Sequence, residues 1–157
     1  MALILPDIVL TEKRRMNDRV FVDSNVFIYL QSTTEIDKRA TAQRVVNELT
    51  CVASTQVLNE VSSVLSRRAR FSFDQIGRIV DGIVQVCDIA IVTYDTVRKA
   101  HDIAKRCQLG YYDSLIISSA IESDCEYLLS EDMSDGQIID GKLTIVNIFA
   151  HPEFFDV

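Results

Sequence analysis

An α/β fold with a mainly parallel central sheet is what this sequence predicts. Short, continuous apolar runs such as Val20-Phe21-Val22, Cys51-Val52-Ala53-Ser54, Ile89-Ala90-Ile91-Val92 and Tyr127-Leu128-Leu129 alternate with segments whose apolar residues recur at helical spacing. Strands that are apolar on both sides belong in a sheet covered by helices on both faces. With 157 residues, 48% of them hydrophobic and 25% charged, the chain has the size of one domain. Five Gly and two Pro, spread without any Pro- or Ser/Gly-rich tract, leave no linker to divide it.

Residues 1–18 read as an extension outside the fold, because Thr11-Glu12-Lys13-Arg14-Arg15 is polar and Leu3-Ile4-Leu5 is cut short by Pro6 and Asp7. Met16, just before the first strand, is a candidate start. The strand at 20–22 ends in Asp23, and Ser24 can cap the helix marked by Val26, Phe27, Tyr29 and Leu30. An amphipathic segment over 36–49 follows, with Ala40, Val45, Val46 and Leu49 as its apolar side. After the second strand, Thr55 is a candidate N-cap for a helix carrying Val57, Leu58, Val61, Val64 and Leu65, which ends in the basic group Arg67, Arg68 and Arg70. A helix over 73–86, a strand over 89–92 and a helix over 95–106 lead to Gly110. The next helix, over 112–123, is followed by the strand at 127–129, a polar turn over 130–136 and a strand at 143–146. Residues 19–150 are thus read as the domain and 151–157 as a short tail.

Composition excludes several functions. No apolar stretch approaches the roughly 18 residues of a membrane helix, so no membrane partner is expected and the working compartment is read as the cytoplasm. Cys51, Cys87, Cys107 and Cys125 are far apart and form no C-x-x-C pair, which argues against a zinc cluster or a disulfide framework and for free thiols in or near the core. A net charge of −7 disfavours nonspecific attraction to nucleic acid, so any such function needs a local basic patch, a metal or a basic partner.

Four acids carry the chemistry. Asp23 and Asp132 follow predicted strand ends, where open α/β sheets build their sites. Glu60 borders the apolar face of its helix, and Asp113 shares a helical face with Ile116, Ile117, Ala120 and Ile121. Each alone has an ordinary reading: Asp113 as an acid at a helix start, Asp23 as turn chemistry, Glu60 as a solvated helix residue, Asp132 as a loop acid. Together at one sheet edge they would repel one another unless a divalent cation neutralised them. An all-oxygen set suits Mg2+ or Mn2+ rather than zinc, and such ions serve phosphodiester hydrolysis.

The stretches Val22-Asp23-Ser24-Asn25, the Glu60 helix, Tyr111-Tyr112-Asp113-Ser114-Leu115-Ile116-Ile117 and Ser130-Glu131-Asp132-Met133-Ser134-Asp135-Gly136 resemble a PIN-domain nuclease, in order and spacing most like the VapC-type toxins. The resemblance covers residues 19–149. It implies a three-layer α/β/α sandwich, metal-dependent endoribonuclease activity, a homodimer, and a cognate antitoxin whose often basic segment covers the acidic pocket. Carried onto this chain, Asp23, Glu60 and Asp113 match the family's acidic positions and Asp132 its more variable fourth, with Glu131 and Asp135 able to replace or assist it. On this reading Asp23 and Asp113 bind the principal ion, Glu60 orients metal-bound water or a second ion, and Asp132 completes the pocket. Ser24, Asn25 and Ser130 are candidates for supporting hydrogen bonds or phosphate contact.

Other residues keep two readings. Arg67 lies two helical turns beyond Glu60, about 10 Å along the helix, and either meets a flanking RNA phosphate or favours the helix end. Tyr111 and Tyr112 either stack on an unpaired base or pack before a buried helix. Lys99, Lys105 and Arg106 read as a solvated face, and His101 and His151, isolated from any acidic motif, have no role assigned. Two other functions remain open: a catalytically silent PIN-like binding module, and a phosphoacceptor signalling domain. The second would want an acid beside Asp23, where Ser24 stands, and a lysine after the Tyr127 strand, which is absent.

Overall fold

The computed structural model describes residues 19–68 and 70–155. The predicted extension over 1–18 and Met16 lie outside the described residues, as do the last two positions of the predicted tail. The first strand, β1 (Arg19–Val22), runs into α1 (Ser24–Leu30), and α2 (Ile36–Glu48) leads to β2 (Thr50–Ser54). Then come α3 (Thr55–Arg67), α4 (Phe73–Val86), β3 (Cys87–Ala90), α5 (Tyr94–Cys107) and α6 (Tyr111–Glu122). The chain closes with β4 (Tyr127–Leu129), β5 (Ile138–Ile139), β6 (Leu143–Val146) and a 3-10 turn over Pro152–Phe155.

Among the described residues the strands form one six-stranded sheet in the order β3-β2-β1-β4-β6-β5. All pairings are parallel except the edge pair of β5 with β6. Past their first residues β1, β2 and β4 are buried without alternation, because helices cover both faces in a three-layer α/β/α sandwich. Phe21, Phe27, Ile116, Ile117, Leu128 and Ile145 are among the side chains wholly withdrawn from water. The four cysteines are free thiols, with Cys51, Cys87 and Cys125 buried. No helix among the described residues is long and apolar enough to cross a membrane.

Local chemistry accounts for most boundaries. In α4, Ser72 Oγ accepts from Gln75 N and Gln75 Oε1 accepts from Ser72 N, a reciprocal capping box. Thr93 and Thr96 make the same arrangement at α5, which ends where Gln108 turns left-handed at φ 54°. Two caps differ from the sequence reading by one residue. Asp23, not Ser24, caps α1, and Ser54, not Thr55, caps α3 by accepting from Val57 N at 3.3 Å. In both places the preceding strand holds the cap residue in extended backbone, as an N-cap requires.

The third strand lies two residues earlier than predicted. Its pairing with β2, Cys51 opposite Cys87 through Ser54 opposite Ala90, ends before Ile91, which is 66% exposed. Strand β5 was not foreseen, since two edge residues carry no periodic signal. The described part of the segment read as a tail folds back: Phe155 is buried under the Arg44 guanidinium, and Phe154 meets Tyr127 edge-on at 5.2 Å.

Helix α6 is buried from Ser114 to Ala120 with no polar stripe. Its serines are satisfied locally or by a neighbour: Ser119 Oγ donates to Leu115 O, and Ser118 Oγ to Thr96 O of α5, both at 3.0 Å. Truncating Ile117, fully buried at the middle of this helix, is expected to cost about 2–5 kcal/mol in urea unfolding. Ile138→Ala, on an edge residue 62% exposed, is expected to stay within about 0.5 kcal/mol of wild type. Equal effects would contradict this assignment of the core.

Candidate active site

The strand order reverses between β1 and β4, so the loops leaving their carboxyl ends part in opposite directions and open a crevice. Asp23 occupies the seam. Its backbone N donates to Leu129 O of β4 at 3.0 Å, continuing the ladder by one residue. Its side chain, 5% exposed, accepts from Ser24 N at 2.7 Å through Oδ1 and from Ser130 Oγ at 2.7 Å through Oδ2. Ser130 directly follows β4 and is itself wholly buried.

From this seam the other acids are reached in single steps. Ser24 Oγ donates to Glu60 Oε2 at 2.9 Å, and Gln56 Nε2, one turn earlier on α3, donates to Glu60 Oε1 at 3.0 Å. The Asn25 amide lies between Asp23 Oδ2 at 3.5 Å and Asp132 Oδ2 at 3.4 Å. Asp113 opens the first turn of α6 and, contrary to the helical-face reading, is exposed; the buried run begins one residue later. The core stops at the sheet's carboxyl edge, and that first turn projects past it into the crevice. Glu60, Asp113 and Asp132 line a cavity of about 820 Å3, together with Ser24, Asn25 and Arg67.

Two carboxyls of this group are held against their charge. Burial, resisted by the hydrogen bonds from Ser130 and Ser24, lifts the Asp23 pKa to about 6, and the negative charges of Glu60 and Asp132 push in the same direction. Asp113 is also raised, by the protein around its carboxyl and then by Asp132. No lysine or arginine contributes to either shift.

The remaining acids of the loop after β4 have other employment. Glu131 accepts from the Tyr29 hydroxyl at 2.5 Å and pairs with the Lys38 ammonium, which also donates to the Tyr29 oxygen at 2.9 Å. Burial alone would raise the Glu131 pKa, but Lys38 and Tyr29 outweigh it and hold it below the usual carboxylate range. Asp135 accepts from Asn147 N at 2.8 Å and from the His151 ring at 2.6 Å, while His151 meets Glu153 at 2.9 Å on its other nitrogen. His151, read as isolated, is thus tied to the acidic loop, through a contact between positions 16 apart that no local pattern reveals. Asp135 is not among the residues lining the cavity.

Arg67 lies along α3, its guanidinium donating to Ser63 O at 3.3 Å and to Ser63 Oγ, and with Arg68 it forms the cavity's far wall. Sequence reasoning missed Gln56, Lys38 and Tyr29. Gln56 was within reach, since it precedes Glu60 by one helical turn.

As the side chains stand, no three His, Cys, Asp or Glu among the described residues close around a common point; Glu60, Asp113 and Asp132 line the cavity, and the buried Asp23 is outside its lining. Their chemistry nevertheless fits a hard divalent cation. Every donor is an oxygen, no lysine or arginine shifts Asp23 or Asp113, and the buried Asn25 Oδ1 has no hydrogen-bond partner.

The model of the PIN domain matches residues 20–134. Among solved structures, VapC20 of Mycobacterium tuberculosis, a toxin that cleaves the sarcin-ricin loop, superposes with a TM-score of 0.60 at 18% identity, covering 72% of this chain and 91% of its own. VapBC2 of Rickettsia felis, bound to a DNA fragment from its promoter, gives 0.55 at 16% identity over 73% and 88%. A toxin-antitoxin complex from Klebsiella pneumoniae gives 0.61 at 16% identity over 82% and 97%. At these identities the likeness is one of fold. No protein of curated function matches the sequence.

Burial of Asp23 has a consequence for stability in metal-free buffer. An unfolded aspartate titrates near about 3.9, the folded one at about 6, so between these values the folded chain holds the extra proton. Stability from this group is therefore present below pH ~4 and falls as pH rises through ~6, by up to about 3 kcal/mol. Asp23→Asn, which stays neutral, is expected to be more stable than wild type by about 1–3 kcal/mol at pH 8 in EDTA, with the gain vanishing near pH 4. Urea unfolding at both pH values checks this, and a gain independent of pH would refute it.

Proposed function

The chain belongs to the PIN domain family, and on that premise we propose that it is a metal-dependent endoribonuclease, the toxin of a toxin–antitoxin pair. The observation that carries the reading is that Glu60, Asp113 and Asp132 line one cavity at the sheet's switch point, with the buried Asp23 tied to them through Ser24 and Asn25. The domain responsible is residues 19–150, and the working compartment is the cytoplasm. Two structural neighbours support the toxin half of the proposal: one is a sarcin-ricin loop cleaving toxin, and another is a toxin-antitoxin complex.

Mg2+ or Mn2+ held by Asp23 and Asp113, with Glu60 and Asp132 completing the set, would supply a Lewis acid that polarises the phosphate and acidifies water. The protein's own groups do the rest. Ser130 and Ser24 N fix Asp23, so the carboxylate at the base of the site does not swing. Glu60, oriented by Ser24 and Gln56, stands at the cavity wall where it can accept a proton from an attacking water. Arg67 and Arg68 offer charge to a phosphate flanking the scissile one. Glu131 also lines the cavity but is committed to Lys38 and Tyr29, so it anchors the loop while Asp132 carries no ion pair among the described residues.

The same charge pattern suits the partners. A pocket lined by Glu60, Asp113 and Asp132 in a chain of net charge −7 attracts a basic antitoxin segment more readily than bare RNA. The chain acts as a homodimer in this proposal, as the family resemblance implies.

The test is cleavage of a structured-RNA panel by antitoxin-free protein in Mg2+, Mn2+ or EDTA. Cutting is expected with either metal and not in EDTA, and Asp23→Asn or Asp113→Asn is expected to lower it by at least about 100-fold. Equal cutting by all three proteins would mean contamination and sink the assignment. Measurable metal binding with no RNA cut across the panel would favour the silent binding module.

A further inference from the structure

Tyr112 lines the crevice and Tyr111 lies against that ring, and neither belongs to the core. Tyr112 precedes Asp113, lines the cavity and is 62% exposed, although helix α6 is buried from Ser114 onward. The packing reading of this residue therefore fails. Tyr111 meets Tyr112 edge-to-face, with ring centroids 5.3 Å apart and planes at 64°. The His101 ring of α5 follows at 5.4 Å from Tyr111, with Arg98 3.5 Å beyond it. Three rings thus run outward from Asp113 across α6 to α5. In an edge-to-face pair each ring keeps at least one face that its partner does not cover.

The acids create a need that these rings meet. A phosphodiester entering the crevice passes Glu60, Asp113 and Asp132 in a protein of net charge −7. Arg67 and Arg68 are the arginines among the described lining residues, so charge alone holds it weakly and stacking adds to the hold. Stacking on an aromatic face carries no charge penalty and accepts any base. It also demands that the base be free of its helix, because a paired base presents no face. The crevice provides for both parts of a nucleotide: Arg67 and Arg68 on the α3 wall for phosphate, Tyr112 at the α6 mouth for a base.

We propose that Tyr112, backed by Tyr111 and His101, is a stacking platform for an unpaired base of the RNA next to the scissile phosphate. This rests on the nuclease reading for its substrate, but its test does not need cleavage.

The test titrates wild-type protein and the Tyr112→Ala, Tyr112→Phe and Tyr112→Trp variants into a short RNA carrying one 2-aminopurine. The RNA is single-stranded or annealed, in Ca2+ without Mg2+ or Mn2+. Single-stranded binding is expected to quench the probe, and Tyr112→Ala to weaken it by about 5- to 150-fold, the effect of losing one base–aromatic stack. The Phe and Trp variants are expected to retain binding, since the ring and not the hydroxyl does the holding. Circular dichroism and urea unfolding confirm that each variant is folded. Unchanged single-stranded binding by Tyr112→Ala would overturn the platform, as would an equal loss for the duplex. Conversion of a dimer to a monomer by Tyr112→Ala in sedimentation would also overturn it, since the rings would then be a contact between copies. Cleavage separates the two proposals. A protein that cuts RNA with the same KM after Tyr112→Ala loses the platform and keeps the nuclease, whereas quenching without any cutting keeps the platform and loses the nuclease.

Discussion

A carboxylate buried where β1 passes β4 is the constraint around which this molecule is organised. Asp23 is withdrawn from water and pressed by Glu60 and Asp132, and both effects oppose its charge. Two donors, Ser24 N and Ser130 Oγ, resist them only in part. Holding such a group requires a rigid frame, which the central strands and the stretch of α6 buried from Ser114 to Ala120 provide. The scaffold is stabilised by its apolar layers so that a few residues at one edge can be held in an unfavourable state.

The loop after β4 shows how identical chemistry is sorted by context. Glu131, Asp132 and Asp135 lie within five positions, yet one is bound to a lysine and a tyrosine, one faces the cavity, and one clips a backbone amide and a histidine. Glu131 and Asp135 anchor the loop on opposite flanks, through α1 and α2 on one side and the residues after β6 on the other. Asp132 is held between them by a long contact with Asn25. Rigid neighbours and one loosely held acid are what a site needs if that acid is to adjust to a ligand.

Much of the architecture was legible because pattern and punctuation coincide in the chain. The boundaries of α4, β4 and β6 match their sequence reading, since apolar periodicity and capping residues mark the same positions. Where two adjacent residues can both cap, as Asp23 with Ser24 or Ser54 with Thr55, the choice falls to the strand that sets the backbone, which local sequence does not show. Helical spacing placed Asp113 on the apolar stripe of α6, but spacing says nothing of where the core ends. The fate of Glu131 depends on Lys38, 93 positions earlier, and only the fold brings the two together. Ser24, Asn25 and Ser130 were legible as supporting donors because they stand beside the acids in sequence, whereas Gln56, Lys38 and Tyr29 went unread, since none of them adjoins one of the four acids.

The seam that holds Asp23 joins residues 107 positions apart, since Ser130 is the donor that secures it. In a chain emerging from a ribosome, Asp23 comes out more than a hundred residues before Ser130, which follows the strand that encloses it. Until β4 docks, β1 has an open edge there, Asp23 remains in water, and the acid from the following loop does not yet exist. Pairing of this kind is also slow to form, because a long segment must be ordered before the contact is made. A product lacking β4 and the loop after it carries Glu60 and Asp113 with no Ser130 to hold Asp23 and no Asp132 to face them. The crevice therefore exists only once the chain has been made through that loop.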